Sequence, residues 1–209
     1  NLNSTNKIKE KKKEKEEKEE KEEKIIDFTQ GLNEEQKSAF NKFVAKENLF
    51  ITGPGGSGKT FLIHKIVSYC KYKGLKYQVC SLTACSAILL QCKAKTIHSW
   101  AGIGIAQGEI ETVVERVVKN KSKRRNWNKT NILIVDEVSM LSLKLFHILD
   151  NIARKIKFNN SPFGNMQILF AGDFFQLPPI GDEYDDSSSM FCFESPLWNL
   201  TFKNTISLT

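Results

Sequence analysis

Apolar residues fall into two patterns along the chain. Short, nearly continuous apolar runs occupy residues 48–52, 77–82, 132–135, 167–171 and 205–208. Runs of this length that do not strictly alternate predict strands buried on both faces. Between them lie stripes at helical spacing. Leu62, Ile63, Ile66, Val67 and Cys70 form one, and Leu141, Leu145, Leu149, Ile152 and Ile156 another. Strands alternating with helices predict an α/β domain: a parallel sheet with right-handed crossovers and helices on both faces. Ligands of such sheets bind at the carboxyl ends of the strands, so the polar residues that follow each run are the first candidates for chemistry.

The pattern begins only near Ile25. Residues 7–24 are almost pure Lys and Glu and offer no apolar face to a core. Glu14, Glu17 and Glu20 each precede a Lys by four residues, the order that favours a solvated helix. Residues 1–24 therefore read as a charged tail, a linker or an interaction arm, and residues 25–209 as one folded domain. A chain of 209 residues, 40% hydrophobic, is long enough for such a core.

Charge changes the picture only moderately. The formal net charge is +7, and the tail's nine Lys and eight Glu leave +6 on the remainder. That excess suits a polyanion such as nucleic acid, and equally suits simple solubility. No apolar run approaches the roughly 20 residues that span a bilayer, and no apolar secretory stretch opens the sequence. A soluble intracellular protein is expected. The five cysteines form no C-x-x-C pair and no common zinc spacing, so reduced, mostly buried thiols are expected.

The first run leads into Gly53-Pro54-Gly55-Gly56-Ser57-Gly58-Lys59-Thr60, a full match to G-x-x-x-x-G-K-[ST] between a strand and a helix. The glycines let backbone N–H groups wrap a phosphate, and the helix N-terminus adds its positive dipole end. Lys59 can reach the β- and γ-phosphates of ATP, and the Thr60 hydroxyl can ligate Mg²⁺. The third run ends in Asp136-Glu137. Side chains alternate at a strand tip, so Asp136 can hold Mg²⁺ while Glu137 takes a proton from the attacking water. The fourth run opens into Gly172-Asp173-Phe174-Phe175-Gln176-Leu177-Pro178-Pro179, where Gln176 is placed to sense a γ-phosphate.

In this order, Gly-Pro-Gly-Gly-Ser-Gly-Lys-Thr, Val-Asp-Glu-Val-Ser-Met-Leu and Gly-Asp-Phe-Phe-Gln-Leu-Pro-Pro resemble motifs I, II and III of the Pif-one DNA helicases, in the RecD-like branch of superfamily one. The resemblance covers residues 28–209. It implies a P-loop NTPase with a RecA-like sheet, the first of two such domains in an ATP-driven motor that moves 5′ to 3′ on single-stranded DNA. It also implies roles in DNA repair, recombination, and telomere or genome maintenance, and a nuclear or mitochondrial site for a cellular member. Leu32-Asn33-Glu34-Glu35-Gln36 is similar to the Q motif, whose Gln reads adenine; Gln36 equally reads as a surface Gln opening a helix.

The segment after motif Ia is similar to residues 96–104, although the family usually has Phe where Trp100 stands. Motif Ia departs further: Thr83-Ala84-Cys85-Ser86-Ala87-Ile88-Leu89-Leu90 has Ala for a Gly and two Leu for two Ala. Thr83, Ser86, His98, Ser99 and Trp100 are the candidate single-strand contacts. His98 and Trp100 also read as packing, and His64 and His147 as structural. The basic run 119–129 reads as phosphate contact, an import signal or a solvated loop. The family's Arg-bearing motifs belong to the second domain, so weak hydrolysis and no unwinding are expected from these residues alone. The main alternative is a nucleotide-gated single-stranded DNA-binding module that does not unwind.

Overall fold

The computed structural model describes residues 27–181 and 185–209. The tail expected over residues 1–24 lies outside the described residues. The chain divides into two units, with the boundary between Gln30 and Gly31. In the first, residues 27–30 form a turn in which the Thr29 amide and hydroxyl both donate to Asp27 Oδ1 (2.9 and 2.6 Å).

The second unit opens with α1 (Glu34–Val44), β1 (Leu49–Thr52), α2 (Lys59–Tyr72) and β2 (Tyr77–Ser81). Then come α3 (Ala84–Leu89), β3 (Lys95–Thr96), α4 (Ile97–Ala101), α5 (Ile110–Val118) and α6 (Lys121–Lys129). It closes with β4 (Ile132–Asp136), α7 (Leu143–Lys157), β5 (Gln167–Ala171), α8 (Pro196–Thr201) and β6 (Asn204–Ser207). The described strands form one sheet in the order β3-β2-β4-β5-β1-β6, with every neighbouring pair parallel. All five residues of β4 are buried, which requires cover on both faces of the sheet.

The five apolar runs become β1, β2, β4, β5 and β6, each within one residue of its expected ends. β3 was not expected: it is two residues long, charged and polar, and sits at the sheet edge, where no apolar run is required. Both helical stripes are buried on α2 and α7, except that Leu141 lies just ahead of α7. Ser142 caps α7, its hydroxyl accepting from the Leu145 amide at 3.2 Å. Buried Asp150 on α7 pairs with Arg154 Nε (2.7 Å) and accepts from the Phe163 amide (2.7 Å). That pins a turn in which Phe163 stands at φ 50°.

The solvated-loop reading of residues 119–129 is corrected. Asn120 caps a helix here, accepting from the amides of Ser122 (3.0 Å) and Lys123 (3.1 Å). α6 packs through Trp127, whose indole N–H donates to Ala101 O at 3.1 Å and whose ring lies 4.5 Å from that of Trp100.

A second aromatic group, with Phe50, Phe146, Phe170, Phe174, Trp198 and Phe202 among its members, fills the core beside β1 and β5. Cys70, Cys80 and Cys192 are buried, as expected of small apolar side chains; Cys85 is exposed. Among the described residues, no helix is long and apolar enough to cross a membrane.

Candidate nucleotide and nucleic-acid site

Because the sheet is parallel, the carboxyl ends of its strands lie along one edge. Read in sheet order, that edge carries α4 after β3, Thr83 and Ser86 after β2, and Asp136-Glu137 at the end of β4. Asp173 and Gln176 follow β5, and the glycine-rich loop follows β1. Topology thus gathers three motifs spread over more than 100 residues of sequence onto three adjacent strands, β4, β5 and β1. The candidate DNA contacts fall at the other end of the same edge.

The loop from Gly53 turns directly into α2. Gly58 stands at φ 87°, and a Cβ there would lie 2.4 Å from Gln36 Nε2, so only glycine fits both the backbone and the space. Lys59 folds back over the loop, its ammonium donating to Gly53 O (2.6 Å), Pro54 O (3.0 Å) and Ser57 Oγ (3.5 Å). Thr60 is exposed in the first turn of α2. Gln36 is buried behind the loop. Its amide oxygen accepts from the Asn33 amide (3.1 Å) in a capping box, and its Nε2 donates to Gly58 O (3.5 Å). The side chain therefore buttresses the loop, with its amide oxygen committed to the cap.

Asp136 is 5% exposed. Burial pushes its carboxyl up to about 6; the Glu137 amide, donating at 3.0 Å, and the Lys59 charge pull the other way. Ser81 is the register partner of Asp136 on β2, and its buried hydroxyl has no hydrogen-bond partner among the described residues. Glu137 is half-buried at φ 59°, a left-handed backbone that costs a non-glycine residue about 1–3 kcal/mol.

Gly172 lets the next loop approach: a Cβ there would lie 2.8 Å from the Val138 amide. Beyond it Asp173 organises the turn. Its Oδ1 accepts from the Phe175 amide (3.1 Å), and its Oδ2 from Gln176 Nε2 (3.3 Å). Phe174 locks the loop's root into the core, 4.7 Å from Phe193 and 5.3 Å from Phe50.

Thr83 caps α3, its hydroxyl oxygen accepting from the Ser86 amide at 3.1 Å while its own hydrogen stays free to donate. Ser99 is exposed on α4. His98 is half-buried, and burial holds its imidazole below the usual range. With Leu82, Ile105, Met140 and Lys144 it lines a cleft of about 420 Å³. Trp100 leaves the candidate DNA surface: it is buried against Trp127 and presents no ring face to a base. His64 bonds Leu90 O (2.9 Å) and His147 bonds Ser195 Oγ (3.0 Å), so both hold structure.

Sequence reasoning missed Ser81 and the anchoring role of Asp173. Ser81 closes β2 and carries no motif, and only the register shows what lies beside it.

Oxygen donors such as Thr60 and Asp136 suit a hard cation like Mg²⁺. Among the described residues, no group of three or more His, Cys, Asp or Glu could hold a metal alone. The pair would need phosphate and water oxygens to complete a coordination shell.

A six-stranded parallel α/β sheet with this loop after β1 and an acidic pair closing β4 is a P-loop ATPase fold. Within that class the chain belongs to the PIF1-like helicase family, whose model matches residues 31–209. It is 35% identical over 207 residues to the ATP-dependent DNA helicase PIF1 of Candida albicans, covering 88% of this chain and 22% of that protein.

The crystal structure of the Candida albicans Pif1 helicase superposes with a TM-score of 0.74 at 34% identity, over 85% of this chain and 39% of that one. A Bacteroides Pif1 helicase in complex with ADP-AlF3 and ssDNA superposes with a TM-score of 0.66 at 28% identity, over 85% and 42%. The chain thus spans well under half the length of these relatives.

Proposed function

We propose that the chain is the first ATPase domain of an ATP-dependent, 5′-to-3′ DNA helicase. A second RecA-like domain of the same protein would complete its nucleotide site. The carrying observation is that Lys59 follows β1 while Asp136 and Glu137 close β4, the two strands that flank β5, so all three lie along the same strand edge. The relatives' names support DNA as the substrate, and the direction of movement is what the motif resemblance implies. So are roles in repair, recombination or telomere maintenance.

In this reading the loop amides and Lys59 bind the β- and γ-phosphates of ATP. Thr60 and Asp136 would hold Mg²⁺, which neutralises charge on the phosphates. Glu137 accepts a proton as the water oxygen bonds to the γ-phosphorus and the bond to the β-phosphate oxygen breaks. Its left-handed backbone is the kind of strain that active sites retain. Gln36 braces the phosphate loop from behind, and the second hydrogen of its amide is what it would offer to adenine. Gln176, held by Asp173, links the γ-phosphate to the grip on DNA. Thr83, Ser86 and Ser99 supply hydroxyls to a single-strand backbone, with His98 beside them.

The test is MgATP hydrolysis by the full-length protein, with and without single-stranded DNA, for wild type and Glu137→Gln. Single strands should raise turnover at least tenfold, and Glu137→Gln should lower it by 10²-fold or more. A folded, ATP-binding protein whose turnover ignores DNA would instead be a nucleotide-gated DNA-binding module.

A further inference from the structure

We infer that the outward face of α6 is a second DNA site, one that holds the phosphate backbone of duplex DNA. Residues 119–129 contain six Lys and Arg and no acid. Residues 25–209 as a whole carry an excess of +6, so outside this run the domain is electrically balanced. Its whole positive excess therefore sits on one short segment.

The segment is a built helix. Asn126 Nδ2 donates to Trp100 O (2.8 Å) and Trp127 to Ala101 O (3.1 Å), fixing α6 to α4 along one side. Trp127 faces inward, so helical geometry turns Lys121, Arg125 and Lys129 outward, and all three are exposed. At i, i+4 and i+8 they form a stripe about 12 Å long, enough to cover several phosphates of one duplex strand. The stem of Lys123 lies over Gly102 and, with Arg116, lines a shallow groove along residues 103–108. Lys119 pairs with Glu115 (2.5 Å); the cations of α6 itself make no ion pair among the described residues.

Helix stability does not account for this arrangement. The first turn of α6 holds Lys121, Lys123 and Arg124 and no acid, which puts positive charge where the helix dipole opposes it. A partner that consumes the charge does account for it.

The chemistry also selects the form of nucleic acid. Single-strand sites pair cations with exposed rings on which bases stack. The one aromatic side chain of α6 is buried, so this face can read a backbone and not bases. Rigid, sequence-independent phosphate contact fits a duplex. The inference takes from the proposed function only that DNA is the partner.

The test is the salt dependence of binding to a blunt 20-bp duplex and to an oligo(dT) strand, for wild type and the variant Lys121→Ala/Arg125→Ala/Lys129→Ala. Each lost phosphate contact lowers the slope of log K against log salt by about 0.9 for duplex DNA. The duplex slope should fall by about 2–3, with the oligo(dT) slope unchanged. Lys121→Arg/Lys129→Arg, which keeps the charge, should retain the wild-type slope. An unchanged duplex slope in the folded alanine variant overturns the inference. So does an equal loss on oligo(dT), which would assign α6 to the single-strand path. Lys59→Ala and Glu137→Gln should leave the slope untouched, so failure of the ATPase reading and failure of this one give different results.

Discussion

The buried carboxylate of Asp136 opposes stability in the nucleotide-free domain. Its folded-state value, about 6, lies above the ordinary 3.8. Well below pH 3.8 it is protonated in both folded and unfolded chains and costs nothing. As pH rises from 3.8 to about 6, the unfolded chain ionises while the folded carboxyl stays protonated, so stability falls across this window and levels off above it. Asp136→Asn should therefore stabilise the nucleotide-free domain by up to about 3 kcal/mol at pH 7–8 and by little at pH 4. Urea denaturation at the two pH values checks this, and the same variant should bind MgATP poorly.

Gly58→Ala places a methyl group 2.4 Å from Gln36 Nε2 at φ 87°, so a loss of nucleotide affinity on the order of tenfold or more is expected by titration. Adding Gln36→Ala should relieve the clash but not the backbone strain. The placement of Gly58, Lys59 and Asp136 just beyond strand ends was legible in sequence because each belongs to a contiguous motif that follows an apolar run. The burial of Trp100 was not, because it depends on Trp127, 27 residues further on.

At the scale of elements, the strands of the central sheet were legible because burial on both faces makes them unbroken apolar runs. β3 escaped because an edge pair needs no such run. α6 was hidden by the opposite effect: eight of its nine residues are polar, and the one apolar residue, Trp127, does the packing. Trp127→Ala removes a fully buried indole together with its hydrogen bond to Ala101, and should cost about 3–5 kcal/mol in urea denaturation. If α6 were held mainly by its other contacts, the loss would stay near 1 kcal/mol.

For the whole molecule, one edge of a parallel sheet orders the site. The phosphate loop, the acidic pair and the Asp173–Gln176 turn occupy three neighbouring strand tips. The hydroxyl-bearing helices α3 and α4 follow β2 and β3, and α6 is bolted to α4 beyond them. The order of these tips could not be read from sequence, because strand order is set by crossovers and not by motif spacing. It gives the family's motifs a physical layout: the glycine-rich loop at one end, the candidate single-strand contacts at the other, and the buried Asp136 between them.

The most direct test of this account is calorimetric titration of the chain with a non-hydrolysable MgATP analogue, alongside Lys59→Ala. One site per chain is predicted, with affinity lost by at least tenfold in Lys59→Ala while its unfolding midpoint stays near wild type. Undiminished binding in Lys59→Ala, or no binding to the folded wild-type chain at millimolar nucleotide, would contradict the assignment of this strand edge as the nucleotide site.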